Sequence, residues 1–308
     1  MSEYQFYSNG KLLLSGEYLI LDGARGLAIP TKYGQDLKIV KQQANLLNWT
    51  SLYQNKQPWF EAVYSLPDLN LIEIQGEQKV AETLFQILQK AREINPKFLN
   101  GTAGFEVSTH LGFNRSWGLG TSSTLINNIA HWAEIDAFDL LSKSFGGSGY
   151  DIACAQNDSP IVYQIKNAKP IVKQVNFSPK FSEKLFFVFL NKKQVSSQSI
   201  IEYKKKTPVD PSLILEVNQI TDEMLKSQSI EEFNRLIYRH ELLISRVLDR
   251  PTIQQSLFDD YSGQVKSLGA WGGDFVLATT EGTSIDYFRQ NGFQTVIAYD
   301  DMIKKPKR

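Results

Sequence analysis

Three short glycine-rich segments constrain the fold of this chain more than any other feature of its sequence. They are Gly118-Leu119-Gly120, Gly146-Gly147-Ser148-Gly149 and residues 269–273. Glycine adopts backbone conformations that other residues avoid, so such segments form tight turns in which main-chain N–H groups can converge. The first two precede helix-like sequence and the third precedes a strand-like run. We therefore expect three turns at which the backbone closely approaches other backbone or a ligand.

The remaining pattern indicates an α+β fold. Strand-like runs occur at residues 11–21, 35–40, 59–64, 105–109 and 184–190, the first of them interrupted at Ser15-Gly16. Helical periodicity covers residues 80–94, 211–227 and 230–248. These runs mix without strict β–α alternation. A length of 308 residues, at roughly 100–200 residues per domain, allows two domains or one large one. We predict two, at 1–180 and 181–308.

Composition excludes several classes of partner. Lys plus Arg and Asp plus Glu both total 33, so nothing suggests nucleic acid or an anionic membrane surface. One cysteine, Cys154, rules out a disulfide within the chain and favours a reducing compartment. The N-terminal sequence lacks the pattern of a signal peptide, and no apolar run reaches the ~18 residues that span a bilayer. We expect a cytoplasmic protein.

The first glycine segment has the features of a phosphate-binding loop. In Gly118-Leu119-Gly120-Thr121-Ser122-Ser123, a helix starting near Ser122 adds unpaired N–H groups and the positive end of its dipole. The hydroxyls of Thr121 and Ser122 can contact phosphate oxygen or Mg²⁺. No Gly-Lys-Ser/Thr sequence follows, so this is not a Walker loop. A capped strand-to-helix turn without a ligand is the structural alternative.

Two charged residues are candidates for catalysis. Asp151 follows the second glycine segment at a predicted helix start, where an ionised carboxylate could orient a hydroxyl or accept its proton. Lys11 begins an apolar run. If it lies near Asp151, it could lower the pKa of the substrate hydroxyl and offset the negative charge on the phosphoryl group during transfer. The alternatives are a helix-start aspartate favoured by the dipole and a lysine that reaches solvent.

The order of these motifs resembles that of the GHMP kinases, most closely the mevalonate and phosphomevalonate kinases. Asn9-Gly10-Lys11 with Gly16-Glu17-Tyr18 resembles the first motif of that family, and residues 118–123 resemble its ATP phosphate loop. The sequence Gly147-Ser148-Gly149-Tyr150-Asp151 resembles the segment with the catalytic aspartate. The sequence Gly269-Ala270-Trp271-Gly272-Gly273-Asp274 resembles the C-terminal glycine motif, with Trp271 in place of a glycine.

The resemblance implies a two-domain fold with the active site in the cleft between the domains. It implies ATP and Mg²⁺ as cofactors, and a mevalonate or phosphomevalonate kinase of isoprenoid biosynthesis that acts on a small anionic metabolite. The implied catalytic residues are Lys11 and Asp151. The implied nucleotide-binding residues are Gly118, Leu119, Gly120, Thr121, Ser122 and Ser123, with Ser122 as the Mg²⁺ ligand. The implied substrate-binding residues are Glu17, Tyr18, Ser148, Gly149, Gly269, Ala270 and Gly272.

Other functions remain open at this stage. The Trp271 replacement, and the absence of a clear acidic Mg²⁺ ligand other than Asp136 or Asp139, suggest a non-catalytic protein that binds a ligand or protein on the same scaffold. A sugar kinase of the same family is a further alternative.

Overall fold

The computed structural model describes residues 3–192, 196–205, 209–269, 271, 273–280 and 285–305. Its strands are β1 (Glu3–Leu13), β2 (Gly26–Gln42), β3 (Leu46–Leu52), β4 (Pro58–Ser65), β5 (Leu71–Gln75), β6 (Gly104–Leu111), β7 (Ile161–Lys166), β8 (Lys169–Gln174), β9 (Leu185–Phe189), β10 (Val265–Ser267), β11 (Phe275–Thr279) and β12 (Val296–Ala298). Its α-helices are α1 (Gln78–Ile94), α2 (Thr121–Trp132), α3 (Ala137–Ser144), α4 (Tyr150–Gln156), α5 (Ser196–Lys204), α6 (Pro211–Lys226), α7 (Ile230–Leu248), α8 (Ile253–Leu257), α9 (Asp286–Gln290) and α10 (Tyr299–Met302).

The chain forms two compact units, and neither is one continuous piece of sequence. The first unit comprises residues 1–10, 33–115 and 119–156, and the second comprises 11–32, 116–118 and 157–308. Strands β1 and β2 therefore each contribute residues to both units. The boundary predicted at residues 180 and 181 stays a prediction.

The first unit is a sheet covered by helices. Its strands lie in the order β5-β4-β3-β6-β2, with β3 and β6 parallel and the other pairs antiparallel. Helix α1 buries Leu84, Leu88 and Ala91 in a core to which strands β2, β3, β4 and β6 and helices α2 and α3 also contribute. Burial of one helix face and one sheet face in a shared core is the arrangement typical of an α+β layer.

The second unit contains a separate antiparallel sheet of order β10-β11-β9-β12. Strands β9 and β11 are apolar along nearly their whole length and are buried, as expected for central strands covered on both faces. Helix α7 packs against α6 and β10. Strands β7 and β8 pair with each other, and β7 also pairs with the first residues of β2.

The structure confirms the predicted α+β class and most of the predicted elements. Helices α1, α6 and α7 and strands β2, β4, β6, β9 and β11 occur where periodicity predicts them. One prediction is wrong in part: β1 ends at Leu13, just before the predicted interruption at Ser15-Gly16, but beyond that interruption Leu19–Asp22 forms a 3₁₀ helix and not a strand. Gly16 adopts a φ of 89°, which turns the chain out of the extended conformation, so a tertiary turn overrides the local β propensity. Among the described residues, no helix combines the length and apolar composition that a bilayer span requires.

Candidate functional site

The predicted phosphate loop leads directly into the first turn of α2. Gly120 adopts a left-handed conformation with φ 96° at the N-cap of this helix. The first intrahelical bond runs from Thr124 N to Gly120 O at 2.9 Å, so the three preceding amides have no partner within the helix. These amides belong to Thr121, Ser122 and Ser123 and point to the N-terminal side of the helix, where an anion is favoured.

The hydroxyl groups of this first turn face different ways. Ser123 Oγ donates to Gly120 O at 2.9 Å, and Thr124 Oγ1 donates to Gln35 Oε1 at 2.7 Å. Both hydroxyls therefore donate to acceptors within the protein. Thr121 is half-buried and Ser122 is exposed. Of the predicted loop, the hydroxyls of Thr121 and Ser122 can therefore reach a ligand, whereas Ser123 can offer its main-chain N–H. Leu119 is fully buried and anchors the loop.

Gly118, at the start of the same loop, contacts two charged residues of the second unit. Lys11 Nζ donates to Gly118 O at 2.9 Å. A Cβ atom added to Gly118 would lie 2.3 Å from Cγ of Asp274, a carboxylate that is 8% exposed. Gly118 also has a φ of +65°, so both space and backbone conformation require glycine here. Thus the structure brings together one predicted catalytic residue, Lys11, and one predicted phosphate-loop residue, Gly118.

Asp151 lies in the first turn of α4, as its sequence position predicts. Three glycines with positive φ precede it, namely Gly146 (68°), Gly147 (103°) and Gly149 (84°). The carboxylate is half-buried, and the residues that follow it, from Ile152 to Ala155, are buried in the first unit. The helix therefore holds Asp151 at a fixed position beside a turn that only glycine-rich sequence can form. Ser148 and Gly149, two predicted substrate-binding residues, form the end of that turn.

Tyr18 connects three segments of the second unit. It has a φ of 62°, is 8% exposed, and accepts a hydrogen bond at its hydroxyl from Trp271 N at 3.0 Å. Its ring lies 5.4 Å from that of Tyr203, centroid to centroid. Burial raises the pKa of the Tyr18 hydroxyl, so it stays protonated at neutral pH. A cavity of about 160 Å³ lies beside it and is bordered also by Glu202, Tyr203, Leu248 and Arg250.

Glu17, predicted to contact substrate, is buried in a group of ionisable residues. Its carboxylate is 1% exposed and forms an ion pair with Lys266, which is itself fully buried. His240 Nε2 lies 3.2 Å from Glu17 Oε2, and Lys266 Nζ also donates to Ser267 O at 2.7 Å. Burial raises the pKa of the Glu17 carboxyl, while the Lys266 charge opposes that shift. These contacts give the carboxylate protein partners, and its contact with substrate stays a prediction.

The C-terminal glycine motif is only partly described. Gly269 has a φ of +66°, and a Cβ added there would meet no atom within 4 Å, so open space adjoins it. Trp271 is 5% exposed and packs into the second unit. The predicted substrate-binding residues Ala270 and Gly272 lie outside the described residues.

Sequence reasoning missed three residues around this site: Asp274, Lys266 and His240. Asp274 fills the space next to Gly118, and Lys266 and His240 surround Glu17. Periodicity places His240 on the buried face of α7, but nothing local identifies its partner. Lysine is almost never fully buried unless it is paired, but only the structure shows that Lys266 lies in a strand whose residues are all buried, so the sequence carried no signal for it.

The described residues hold no cluster of three or more His, Cys, Asp or Glu side chains that could bind a metal alone. Asp136, one of the acidic candidates, caps α3 by accepting from Phe138 N. Mg²⁺ in proteins commonly keeps several water ligands and is held by one or two protein groups together with the phosphates of a substrate. The exposed Ser122 hydroxyl fits one protein ligand in such a shell.

Comparison with known proteins gives a match at the level of structure. No model of a known protein family matches the sequence, and no curated protein does. The mevalonate kinase of Methanococcus jannaschii superposes with a TM-score of 0.69 at 14% identity, over 96% of this chain and 97% of that one. A Streptococcus pneumoniae phosphomevalonate kinase, in complex with phosphomevalonate and AMPPNP, gives 0.67 at 14% identity, over 95% and 99%.

A third neighbour has a different acceptor. The galactokinase of Lactococcus lactis, complexed with galactose, gives a TM-score of 0.67 at 10% identity, over 94% of this chain and 88% of that one. All three comparisons cover nearly the whole of both chains, so they concern the complete fold and not one shared motif. The fold predicted from the order of four short motifs is confirmed: this chain has the fold of the GHMP kinases.

Proposed function

We propose that this protein is an ATP-dependent kinase that transfers the γ-phosphoryl group to a small anionic metabolite, most simply mevalonate or phosphomevalonate. The observation that carries the proposal is the hydrogen bond from Lys11 to Gly118 O. It joins an amine to the first residue of a loop whose helix presents unpaired amides. Structural neighbours that bind AMPPNP and phosphomevalonate support the same assignment.

Most of the predicted site residues have a part in this proposal. The amides of residues 119–123 bind the triphosphate, and Ser122 contributes its hydroxyl to Mg²⁺. Asp151 orients the acceptor hydroxyl and accepts its proton, while Lys11 offsets negative charge that develops during transfer. Mg²⁺, when bound with the nucleotide, neutralises phosphate charge. Ser148, Gly149 and Gly269, with Ala270 and Gly272, line the acceptor together with Tyr18.

The cavity beside Tyr18 is bordered by one guanidinium and two carboxylates, those of Arg250, Glu202 and Asp249. Arg250 borders that cavity and is about half exposed, and its Nη2 donates to Glu202 at 2.7 Å. A guanidinium has five N–H donors, so one such contact leaves others for a carboxylate or phosphate. Galactose carries no charge and could use these donors only for hydrogen bonds to its hydroxyl groups. The preference for a mevalonate-type acceptor over a sugar rests on the resemblance of the motifs.

The test is a coupled ADP-release assay over mevalonate, phosphomevalonate and galactose, with wild type and an Asp151→Asn variant. We expect turnover with one of the two acids, a loss of at least about a hundredfold in the variant, and unchanged AMPPNP binding. Asp301→Asn changes another first-turn aspartate, exposed on α10, and serves as the matched control. Turnover with galactose alone would leave the kinase assignment standing and overturn the acceptor.

A non-catalytic binding protein is the second candidate, and the buried Trp271 supports it. Its side chain occupies a position where the family carries glycine, and its amide is bonded to Tyr18. Binding of AMPPNP without ADP release for any acceptor would favour this candidate. Turnover that Lys11→Met abolishes would exclude it.

A further inference from the structure

Four consecutive residues after β1 are each fixed by a different side chain or segment of the second unit. We call residues 15–18 the anchored turn. The partner is Thr221 for Ser15 (2.8 Å between the hydroxyls), His240 for Gly16 (2.9 Å), Lys266 for Glu17, and Trp271 for Tyr18 (3.0 Å). These partners come from α6, α7, β10 and the C-terminal glycine motif. Four independent contacts hold this short turn in one position, which indicates that the exact position of the turn is required.

The Glu17–Lys266 ion pair is the one charged contact among these four. Glu17 and Lys266 are 1% and 0% exposed, so each would be an isolated buried charge without the other. A buried charge that loses its partner is strongly unfavourable, whereas an apolar or neutral pair of similar size is often tolerated. The ion pair therefore contributes little net free energy to folding once the desolvation of both charges is counted. What the pair does provide is one fixed geometry for the two side chains.

His240 fixes the neighbouring residue of the turn and limits the state of Glu17. Its Nε2 accepts from Gly16 N at 2.9 Å, so the ring is neutral and carries its proton on Nδ1. Burial, and then the Lys266 charge, hold the pKa of His240 well below its usual range. A neutral His240 cannot compensate the Glu17 carboxylate. Lys266 is thus the cation on which the position of this carboxylate depends.

The anchored turn is connected to Lys11 by very little chain. Strand β1 ends at Leu13, and Leu14 N donates to Leu27 O at 2.7 Å. Gly16 itself has no room for a side chain, because a Cβ there would lie 2.8 Å from Arg25 O. The segment between Lys11 and Glu17 is therefore short and tightly packed, and it has no slack to absorb a displacement of Glu17. A shift of Glu17 moves the end of β1, on which Lys11 lies, and it also moves Tyr18, the next residue.

We propose that Lys266 is a positioning residue for phosphoryl transfer: by holding Glu17 it sets the positions of Lys11 and Tyr18. This inference rests on the proposed kinase function. Lys266 would not touch substrate or nucleotide. A displacement of about 1 Å in a reacting group can reduce a rate by about a hundredfold, so a rigid anchor remote from the phosphate loop can control the rate.

The first experiment uses the double variant Glu17→Gln/Lys266→Met, which removes both charges and leaves no uncompensated ion. We expect kcat to fall at least about tenfold and the KM of the acceptor to rise, with AMPPNP binding unchanged within twofold. The double variant Lys90→Met/Glu93→Gln removes an exposed pair of α1 and should leave all three quantities unchanged. An unaltered kcat in the first double variant would overturn the proposal.

The second experiment keeps both charges, so that folding is not at risk. Glu17→Asp shortens the carboxylate side chain by one methylene, and Lys266 can follow it only by displacing the turn. We expect at least about a tenfold loss of kcat and faster hydrogen exchange at the Gly16 amide in the protein without ligand. A Glu17 that acted only on substrate would leave this amide exchange unchanged, and that result would also overturn the proposal.

Hydrogen exchange separates this inference from the proposed function. If wild type shows no phosphoryl transfer with any acceptor, the kinase assignment fails, whatever the variants do. If wild type is active and the Gly16 amide stays protected in both Glu17 variants, the kinase assignment stands and the role of Lys266 fails.

Discussion

The ammonium group of Lys11 donates a hydrogen bond to the carbonyl oxygen of Gly118 at 2.9 Å, although 107 residues separate them in sequence. A lysine near the end of a strand would ordinarily extend to solvent. Here it is half-buried and contacts the first residue of the phosphate loop. This contact fixes the cation close to the loop before any nucleotide binds, which is the preorganisation that favours stabilisation of developing charge.

Lys11→Met should abolish most phosphoryl transfer while the protein remains folded. We expect kcat to fall by about 10²–10³-fold, because one preorganised donor to a developing charge contributes about that much. Binding of AMPPNP, measured by calorimetry, should weaken much less. Lys38→Met changes a lysine that is about half exposed on β2 and is the control. Equal losses in both variants would contradict a specific role for Lys11.

Gly118→Ala should disrupt the phosphate loop through a steric clash in addition to backbone strain. The new Cβ would lie 2.3 Å from the Asp274 carboxylate, at a φ of +65°. The φ alone costs about 1–2 kcal/mol, and the clash should add about 1–3 kcal/mol. We expect a lower urea midpoint and a loss of AMPPNP affinity of at least about tenfold.

Gly146→Ala separates these two contributions. Gly146 has a φ of +68°, and its Cβ would meet no atom within 4 Å, so the variant experiences the strain without the clash. Its loss of unfolding free energy should be smaller than that of Gly118→Ala. Equal losses in the two variants would mean that Asp274 moves aside without cost.

Tyr18→Phe should leave the Trp271 amide without its acceptor. A buried donor left unsatisfied costs about 1–3 kcal/mol, so thermal unfolding should shift downward. Because Tyr18 borders the cavity proposed for the acceptor, the KM of the acceptor should also rise, with ATP affinity unchanged. Tyr261→Phe is the matched control: its buried hydroxyl donates to Thr279 O at 2.8 Å, so it should lose stability but keep the acceptor KM. A raised acceptor KM in both variants would mean that the effect of Tyr18→Phe comes from a general loss of stability and not from contact with the acceptor.

The parts of the fold and site that sequence predicts are those governed by local signals. The glycines before Thr121 and Tyr150 mark the starts of α2 and α4, because their positive φ angles and the helix starts are properties of adjacent residues. The Glu17–Lys266 pair joins residues 249 positions apart. No periodicity encodes such a pairing. The substrate role of Glu17 follows from the resemblance of the first motif and stays a prediction.

The end of β1 is a second feature that local sequence signals do not predict. Residues 11–21 are apolar and β-prone, yet the chain leaves the strand after Leu13. Contacts of Ser15 and Gly16 with α6 and α7 stabilise the turn, and these helices lie about two hundred residues further along the chain. Tertiary contacts outweigh β propensity because propensities amount to about 1 kcal/mol per residue, a range that a few buried hydrogen bonds exceed.

Glu241 should make the stability of the protein depend on pH. Its carboxylate is 2% exposed and accepts hydrogen bonds from Ser267 N (3.1 Å) and Ile253 N (3.2 Å). Burial is the main cause that raises its pKa from 4.5 to about 7. Between these two pH values the unfolded chain has lost the proton while the folded protein retains it. The folded protein therefore binds more protons, and its stability falls as pH rises through this window.

The predicted size of this effect is about 3 kcal/mol, since one pKa unit corresponds to about 1.4 kcal/mol.

Urea unfolding of wild type and Glu241→Gln at pH 4.5 and at pH 7.5 would measure it. The stability of wild type relative to the variant should fall by most of this amount between pH 4.5 and pH 7.5, because only wild type carries a group that titrates at this position. Glu17 and Lys266 also act on this carboxylate and remain in both proteins, so the difference between the two curves isolates Glu241. Glu82→Gln removes an exposed carboxylate of α1 and controls for the loss of one carboxylate. Parallel pH curves for wild type and Glu241→Gln would show that Glu241 is ionised in the folded protein over the whole window, with Lys266 compensating two carboxylates.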